Sequence, residues 1–355
     1  LPRWRDAAAC AAVFLLGAIS STNLVKGNLR TTPLRVDVSD VVPQIQILVR
    51  RWLAGESPYQ PIEFGHPYEF FPAYLPAHWM PFSLFEGWGT DYRLGATYLL
   101  WAMLAGAMWS LVRAPISLMR KVLWSAAAFL VFDLFALTSG FMFAIAVEQL
   151  IMGYYLLLMV GLTERWGLAA MAAALLLCLL SRFSLVFWVP LWLLALWWCG
   201  QGRRAGQMTL ALAAGLLLLY GLPFVWQDPA MLWKGQQTYQ SATLIEWGDV
   251  AAQRPHLSGG RGFAVYFWEM TRLPVAARLR ALQWTAGGLS LLAAAALLGG
   301  YRRRRASLPV EDFAVGSLKI MLSVFYAFVQ IPYDYLYLVP AGATLGLLYW
   351  AVRRV

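Results

Sequence analysis

The chain has 355 residues, of which 60% are hydrophobic and 13% charged; a soluble domain carries roughly a quarter charged residues. Mean hydropathy is +0.59, and apolar runs able to cross a ~30 Å hydrocarbon layer recur along the whole length. A soluble fold is excluded. The net charge of +10 raises nucleic acid as a partner, but Lys and Arg cluster in short connections between apolar runs, a topological pattern. No nucleic-acid partner is expected. Cys10, Cys178 and Cys199 all fall in apolar runs, which argues against a disulfide framework.

In chain order, the first apolar run (Asp6 to Thr22) follows Arg3 and Arg5 and lacks a convincing small-x-small cleavage site. It reads as a retained first span, about 7–25. A long loop follows, about 26–92. Within it Ser39–Asp40 begins a helix that Asp40 can cap, with Pro43 tolerated in the first turn. Ile45, Leu48, Val49 and Trp52 recur at helical spacing, and Gly55 ends the helix. Arg50 and Arg51 flank the apolar stripe, so this helix is expected to lie along the membrane interface. Phe70 to Phe85, broken by Pro72, Pro76 and Pro81, reads as a second interfacial segment.

Further spans are expected at about 93–112, 122–140, 144–163, 167–181, 184–199 and 206–226. A second long loop covers about 227–278, and spans at about 279–300, 312–331 and 335–352 complete the chain. The fold class is therefore all-α, a polytopic bundle of about ten spans forming a single domain over 1–355. The basic connections are Arg113, Arg120 and Lys121; Arg165; Arg203 and Arg204; Arg302 to Arg305; and Arg353 with Arg354. Together with Arg3 and Arg5 they fall on one side, which the positive-inside rule makes cytoplasmic. Both termini are then cytoplasmic, and both long loops lie outside the plasma membrane of a bacterial-type cell.

The pattern S-D-x(14)-G-E-S-P-Y, from Ser39-Asp40 to Gly55-Glu56-Ser57-Pro58-Tyr59, is followed by F-F-P-A-Y-L-P and M-P-F. It resembles the first outer loop of the polytopic C-type glycosyltransferases. The similarity is greatest to the polyprenol-phosphate-mannose-dependent mannosyltransferases and their bacterial relatives. Glu148–Gln149 stands where that family often has a Gly-Gln pair. Leu180-Ser181-Arg182-Phe183 with Val189–Pro190 resembles its Lys-Pro break between two apolar halves. Pro332-Tyr333-Asp334-Tyr335 occupies the place of a late segment that often carries Trp and paired His, and this chain has no His there.

The resemblance implies transfer of a sugar from a polyprenyl-phosphate donor to a hydroxyl acceptor, on a lipid or a glycan, at the outer face. Such chemistry needs one carboxylate. A phosphate leaves without protonation, so the reaction requires mainly a base for the acceptor alcohol, unlike a glycosidase with its two acids. Asp40 is the candidate base, and single displacement would invert the anomeric carbon. Capping the helix is the structural alternative for Asp40, and Asp37 is expected to share its surroundings. Arg182, a cation inside an apolar stretch, is the candidate phosphate ligand, with Glu148 or Asp133 as a possible ion partner. Glu148 is placed near the middle of its span, as polar glue, and Lys319 is expected to snorkel to the cytoplasmic end. His66, His78, Arg254, His256, Arg261, Tyr59, Gln149, Asp334 and Tyr335 are further candidate contacts for phosphate or sugar. A solvated loop side chain is the alternative for each histidine. No cofactor is expected: Asp37 with Asp40 makes too thin a ligand set for a divalent metal.

A second reading is a transporter or flippase for a lipid or solute, suited by intramembrane Asp133, Glu148, Arg182 and Lys319. Transporters often show two related halves, and none is visible. A third is a structural subunit of an envelope complex, for which Asp40→Ala would be silent.

Overall fold

A computed structural model describes residues 4–65, 69–248, 257 and 261–354. The chain is helical throughout those residues, with one isolated antiparallel bridge, Ile62 to Phe70. The principal helices are α1 (Trp4–Thr31), α2 (Val41–Leu53), α3 (Tyr92–Val112), α4 (Leu118–Thr138), α5 (Glu148–Thr163) and α6 (Leu168–Leu179). They continue as α7 (Trp188–Trp198), α8 (Gly202–Leu216), α9 (Met231–Gly248), α10 (Val275–Arg304), α11 (Val310–Ala327) and α12 (Leu338–Arg354).

Among the described residues six helices are long and apolar enough to cross a membrane: Trp4–Thr31, Tyr92–Val112, Leu118–Thr138, Gly202–Val225, Val275–Arg304 and Asp334–Arg354. A seventh is reached if α6 and the segment Phe183–Trp198, which meet at a 117° bend, count as one broken span. The protein is thus an all-helical integral membrane protein. The ten spans read from the sequence reduce to six or seven for three reasons. The runs at 167–181 and 184–199 are halves of one bent unit. α5 has only 16 residues, about 24 Å of helix against ~30 Å of hydrocarbon. The 18 residues of α11 include Glu311, Asp312 and Lys319.

α5 is short because it is the core. Fourteen of its residues are buried, and it packs on α3, α6, α11 and α12, so it needs no lipid-facing length. Its closest neighbour is α12. There Gly342 and Gly346, four residues apart, lie against Met152 and Met159 of α5, and a Cβ on Gly342 would meet the Met152 carbonyl oxygen at 2.6 Å. Small residues at this spacing let helix backbones approach.

The first loop folds into the protein. In α2 the residues Val41, Val42, Ile45, Leu48 and Val49 are buried in the main core, together with Tyr155 and Trp188. The apolar stripe expected to face lipid therefore faces protein. Gly55, at φ +75°, adopts the left-handed conformation that ends helices. Residues 76–86 form three short turns rather than an interfacial segment, with His78, Trp79 and Phe82 fully enclosed.

The second loop is anchored to the first and to the turn after α11. The Thr238 hydroxyl of α9 accepts from the Phe71 amide at 2.9 Å, and the Trp247 indole donates to the Gln330 carbonyl at 3.0 Å. Trp247, Leu257, Ala264, Trp268, Leu279 and Leu282 make a small core of their own. At the far end of the bundle, Lys121 pairs with Asp6 (2.7 Å), Arg353 with Glu164 (2.6 Å), Arg354 with Asp312 (2.7 Å) and Arg204 with Glu311 (3.4 Å). These basic residues stand at the opposite end of α5 and α12 from Glu148.

Candidate functional site

The α6–α7 bend places Arg182 in an extended conformation (φ −151°) where two helical segments part. Its guanidinium forms an ion pair with Glu148. Glu148 is the first residue of α5, not a mid-span residue: the turn at Ile145–Val147 delays the helix and brings the carboxylate to the end where the long loops pack. Asp133 is not the partner. The pair is enclosed, with Glu148 fully buried and the Arg182 side chain 25% exposed.

Three aromatic groups close the site. The His78 ring lies 4.4 Å from the Tyr74 ring, centroid to centroid, and its Nε2 is 3.8 Å from a Glu148 oxygen. The Arg182 guanidinium stands 6.0 Å from the Tyr74 ring centre. Tyr335, stacked on Tyr333 at 5.3 Å, lies within electrostatic reach of Tyr74, Glu148 and Arg182. His78 is therefore no solvated loop residue. Burial first, and the Arg182 charge second, push its imidazole well below the usual range and keep it neutral.

Several buried atoms in this cluster have no hydrogen-bond partner among the described residues: Glu148 Oε2, Arg182 Nε and both ring nitrogens of His78; the buried amide of Gln149, the next residue of α5, has none either. Buried polar groups are nearly always paired. Four of these atoms surround one ion pair, which gives it free donors and acceptors among the described residues.

Asp40 occupies the N-cap position of α2, yet its side chain makes no capping bond to that helix. The Ser39 hydroxyl takes over part of this role, accepting from the Val41 amide at 3.3 Å and donating to the Ile145 carbonyl at 3.3 Å. Ser39 thereby ties the start of α2 to the turn preceding Glu148. Asp40 lies near enough to Tyr74 for their charges to interact, which puts the carboxylate on the flank of the Arg182–Glu148 cluster.

Other candidates divide. Tyr59 is a positioning residue: its hydroxyl donates to the Tyr74 carbonyl at 2.9 Å and accepts from the Trp79 indole at 3.1 Å. Asp334 joins Arg261 (3.4 Å) and the Ser139 hydroxyl (2.7 Å), linking the second loop to the turn before α12. Asp37 pairs with Arg35 on the surface. Lys319 does not snorkel. It sits halfway along α11 and donates to the Pro340 carbonyl of α12 at 2.9 Å. His66, Arg254 and His256 lie outside the described residues. Among the described residues no three His, Cys, Asp or Glu side chains gather as metal ligands.

Sequence reasoning missed Tyr74, Tyr155, Ser184 and Tyr326. Tyr155 and Ser184 share a 2.6 Å hydroxyl bond beside Arg182, and Tyr326 lies within electrostatic reach of both members of the ion pair. Only Tyr74 carried a signal, its place between Pro72 and Pro76.

What fold and site define is an all-helical membrane protein with a buried, incompletely bonded polar cluster at one end of its bundle. No family model matches the chain, and no characterised protein or solved structure matches it either.

Proposed function

We propose that the protein is a glycosyltransferase of the polytopic C type, moving a sugar from a polyprenyl-phosphate donor to a hydroxyl acceptor at the outer membrane face. The observation that carries this reading is the carboxylate of Asp40, held at a helix start without capping that helix, on the flank of a buried cation. Asp40 takes the proton of the acceptor hydroxyl as its oxygen bonds to the anomeric carbon. The bond from that carbon to the phosphate oxygen breaks, and the polyprenyl phosphate departs with the electron pair. One displacement inverts the configuration. Arg182 meets the charge on the departing phosphate, with its Nε not otherwise bonded among the described residues. Tyr74 and Tyr335, both within electrostatic reach of Arg182, flank the donor phosphate in this reading, and neutral His78 supplies a hydrogen bond without adding charge.

The test is transfer from radiolabelled polyprenyl-phosphate sugars into a membrane lipid extract by the purified protein. General-base help is worth ~10²–10⁴ in rate, so Asp40→Asn is expected to lose at least about a hundredfold while keeping donor binding and thermal stability. Product formation equal to wild type would remove Asp40 as the base. The transporter reading draws on the same buried charges; it gains if the protein moves labelled lipid between leaflets and Asp40→Asn leaves that movement unchanged.

A further inference from the structure

A shallow crevice with charged and apolar walls lies between the end of α1 and the start of α3. It has a volume of about 350 Å³ and is lined by Lys26, Leu29, Arg30, Asp91, Arg93 and Leu94. That is small for a ligand site, for which ~300–1,000 Å³ is usual.

The lining has two chemistries. Arg93 is buried and fully committed: it pairs with Asp91 at 2.7 Å and donates to the Thr32 and Ala144 carbonyls at 2.9 and 2.7 Å. Asp91 is thereby neutralised and also accepts from the Arg93 amide as the cap of α3. Lys26 and Arg30, four residues apart on α1, are exposed and enter no ion pair among the described residues. Two positive charges are left uncompensated above a floor of Leu29 and Leu94. Farther along α1, Leu15, Leu16 and Ile19 are exposed in a span long enough to cross the bilayer, so an apolar chain leaving the crevice meets a lipid-facing surface.

We propose that this crevice is a binding site for an anionic phospholipid, with the phosphodiester on Lys26 and Arg30 and the glycerol and upper chain against Leu29 and Leu94. Basic pockets between transmembrane helices hold anionic headgroups in this way on the cytoplasmic side, and the same chemistry would serve an anionic lipid of the outer leaflet. A free phosphate would use the cations but have no use for the leucines; the apolar floor favours the lipid. The site also bears on the first loop. Arg93 at its base is bonded to Ala144, the residue before the Ile145 carbonyl that receives Ser39, so an occupant would brace the turn beside Asp40.

The full-length protein in detergent would be titrated with phosphatidylglycerol and, separately, phosphatidylcholine, with bound lipid read by native mass spectrometry. Each cation near a bilayer surface contributes about fivefold in affinity, so the double variant Lys26→Ala/Arg30→Ala is expected to weaken phosphatidylglycerol binding about 25-fold. Arg303→Ala, a cation at the other end of the bundle, should leave it unchanged. Equal binding by the double variant and wild type, or equal retention of the two lipids by wild type, overturns the proposal. Displacement of phosphatidylglycerol by inorganic phosphate at matched concentration would overturn the lipid assignment in favour of a soluble anion. None of these readouts depends on sugar transfer.

Discussion

Glu148 and Arg182 are worth more to the protein as a pair than either is alone. Removing one partner of a buried ion pair costs about 3–5 kcal/mol, because the other charge stays desolvated, whereas an apolar pair of similar volume is often neutral. Glu148→Ala is therefore expected to lower the unfolding midpoint more than the double variant Glu148→Leu/Arg182→Met, measured by thermal unfolding in detergent. A double variant less stable than the single would show that the two charges do not share one enclosed site. His78 gives a second prediction, in pH. Its folded pKa lies well below the unfolded value of 6.5, so below pH 6.5 the unfolded chain binds a proton that the folded chain refuses. Stability from this residue is present above pH 6.5 and lost as pH falls, by at most about 1.4 kcal/mol per unit. The midpoint of wild type relative to His78→Gln should fall between pH 7 and pH 5; parallel curves would mean that His78 titrates freely when folded.

Among the elements, α5 has the central role, and its fit with α12 depends on Gly342. With the Met152 carbonyl oxygen 2.6 Å from where a Cβ would stand, Gly342→Ala must move a helix backbone, and no rotamer change relieves that contact. Overpacking of this kind costs about 1–3 kcal/mol. The expected outcome is a lower unfolding midpoint with faster hydrogen exchange in both helices, and unchanged exchange in α12 would show that the approach is looser. The same packing explains why protein covers the apolar face of α2. An amphipathic stripe specifies only that one face is buried, and periodicity is the same whether lipid or protein covers it. Here Ile45, Leu48 and Val49 found α5-linked core residues, and the flanking Arg50 found Glu86 at 2.6 Å. Burial works against ionisation of Glu86, but hydrogen bonds from Tyr92 and Arg50 hold its carboxyl below the usual range.

For the whole molecule, the basic residues of the short connections stand at one end of the bundle and the Arg182 cluster at the other. The orientation proposed from the positive-inside rule puts the cluster end outside. In a cysteine-free background, Trp88→Cys, on the cluster end and 76% exposed, should react with a membrane-impermeant maleimide in intact cells. Arg303→Cys should react only after lysis. The reverse pattern would place Asp40 in the cytosol and end the proposal for an outer-face transferase.

Composition and hydropathy determined that the chain is a helical membrane protein, because a bilayer demands long apolar runs and satisfied backbone bonds whatever the tertiary arrangement. Apolar periodicity and the turn at Gly55 determined α2, Val41–Leu53, without the Asp40 cap expected of it, and the charge embedded at Arg182 was visible as an anomaly in an apolar run. Tertiary structure alone decided which carboxylate answers Arg182, since Asp133 and Glu148 are equally embedded in sequence and differ only in where their helices start. It also decided that α6 and α7 form one bent unit and that His78 is buried. Those outcomes depend on non-local contacts, chosen by packing and desolvation, and local periodicity carries no record of them.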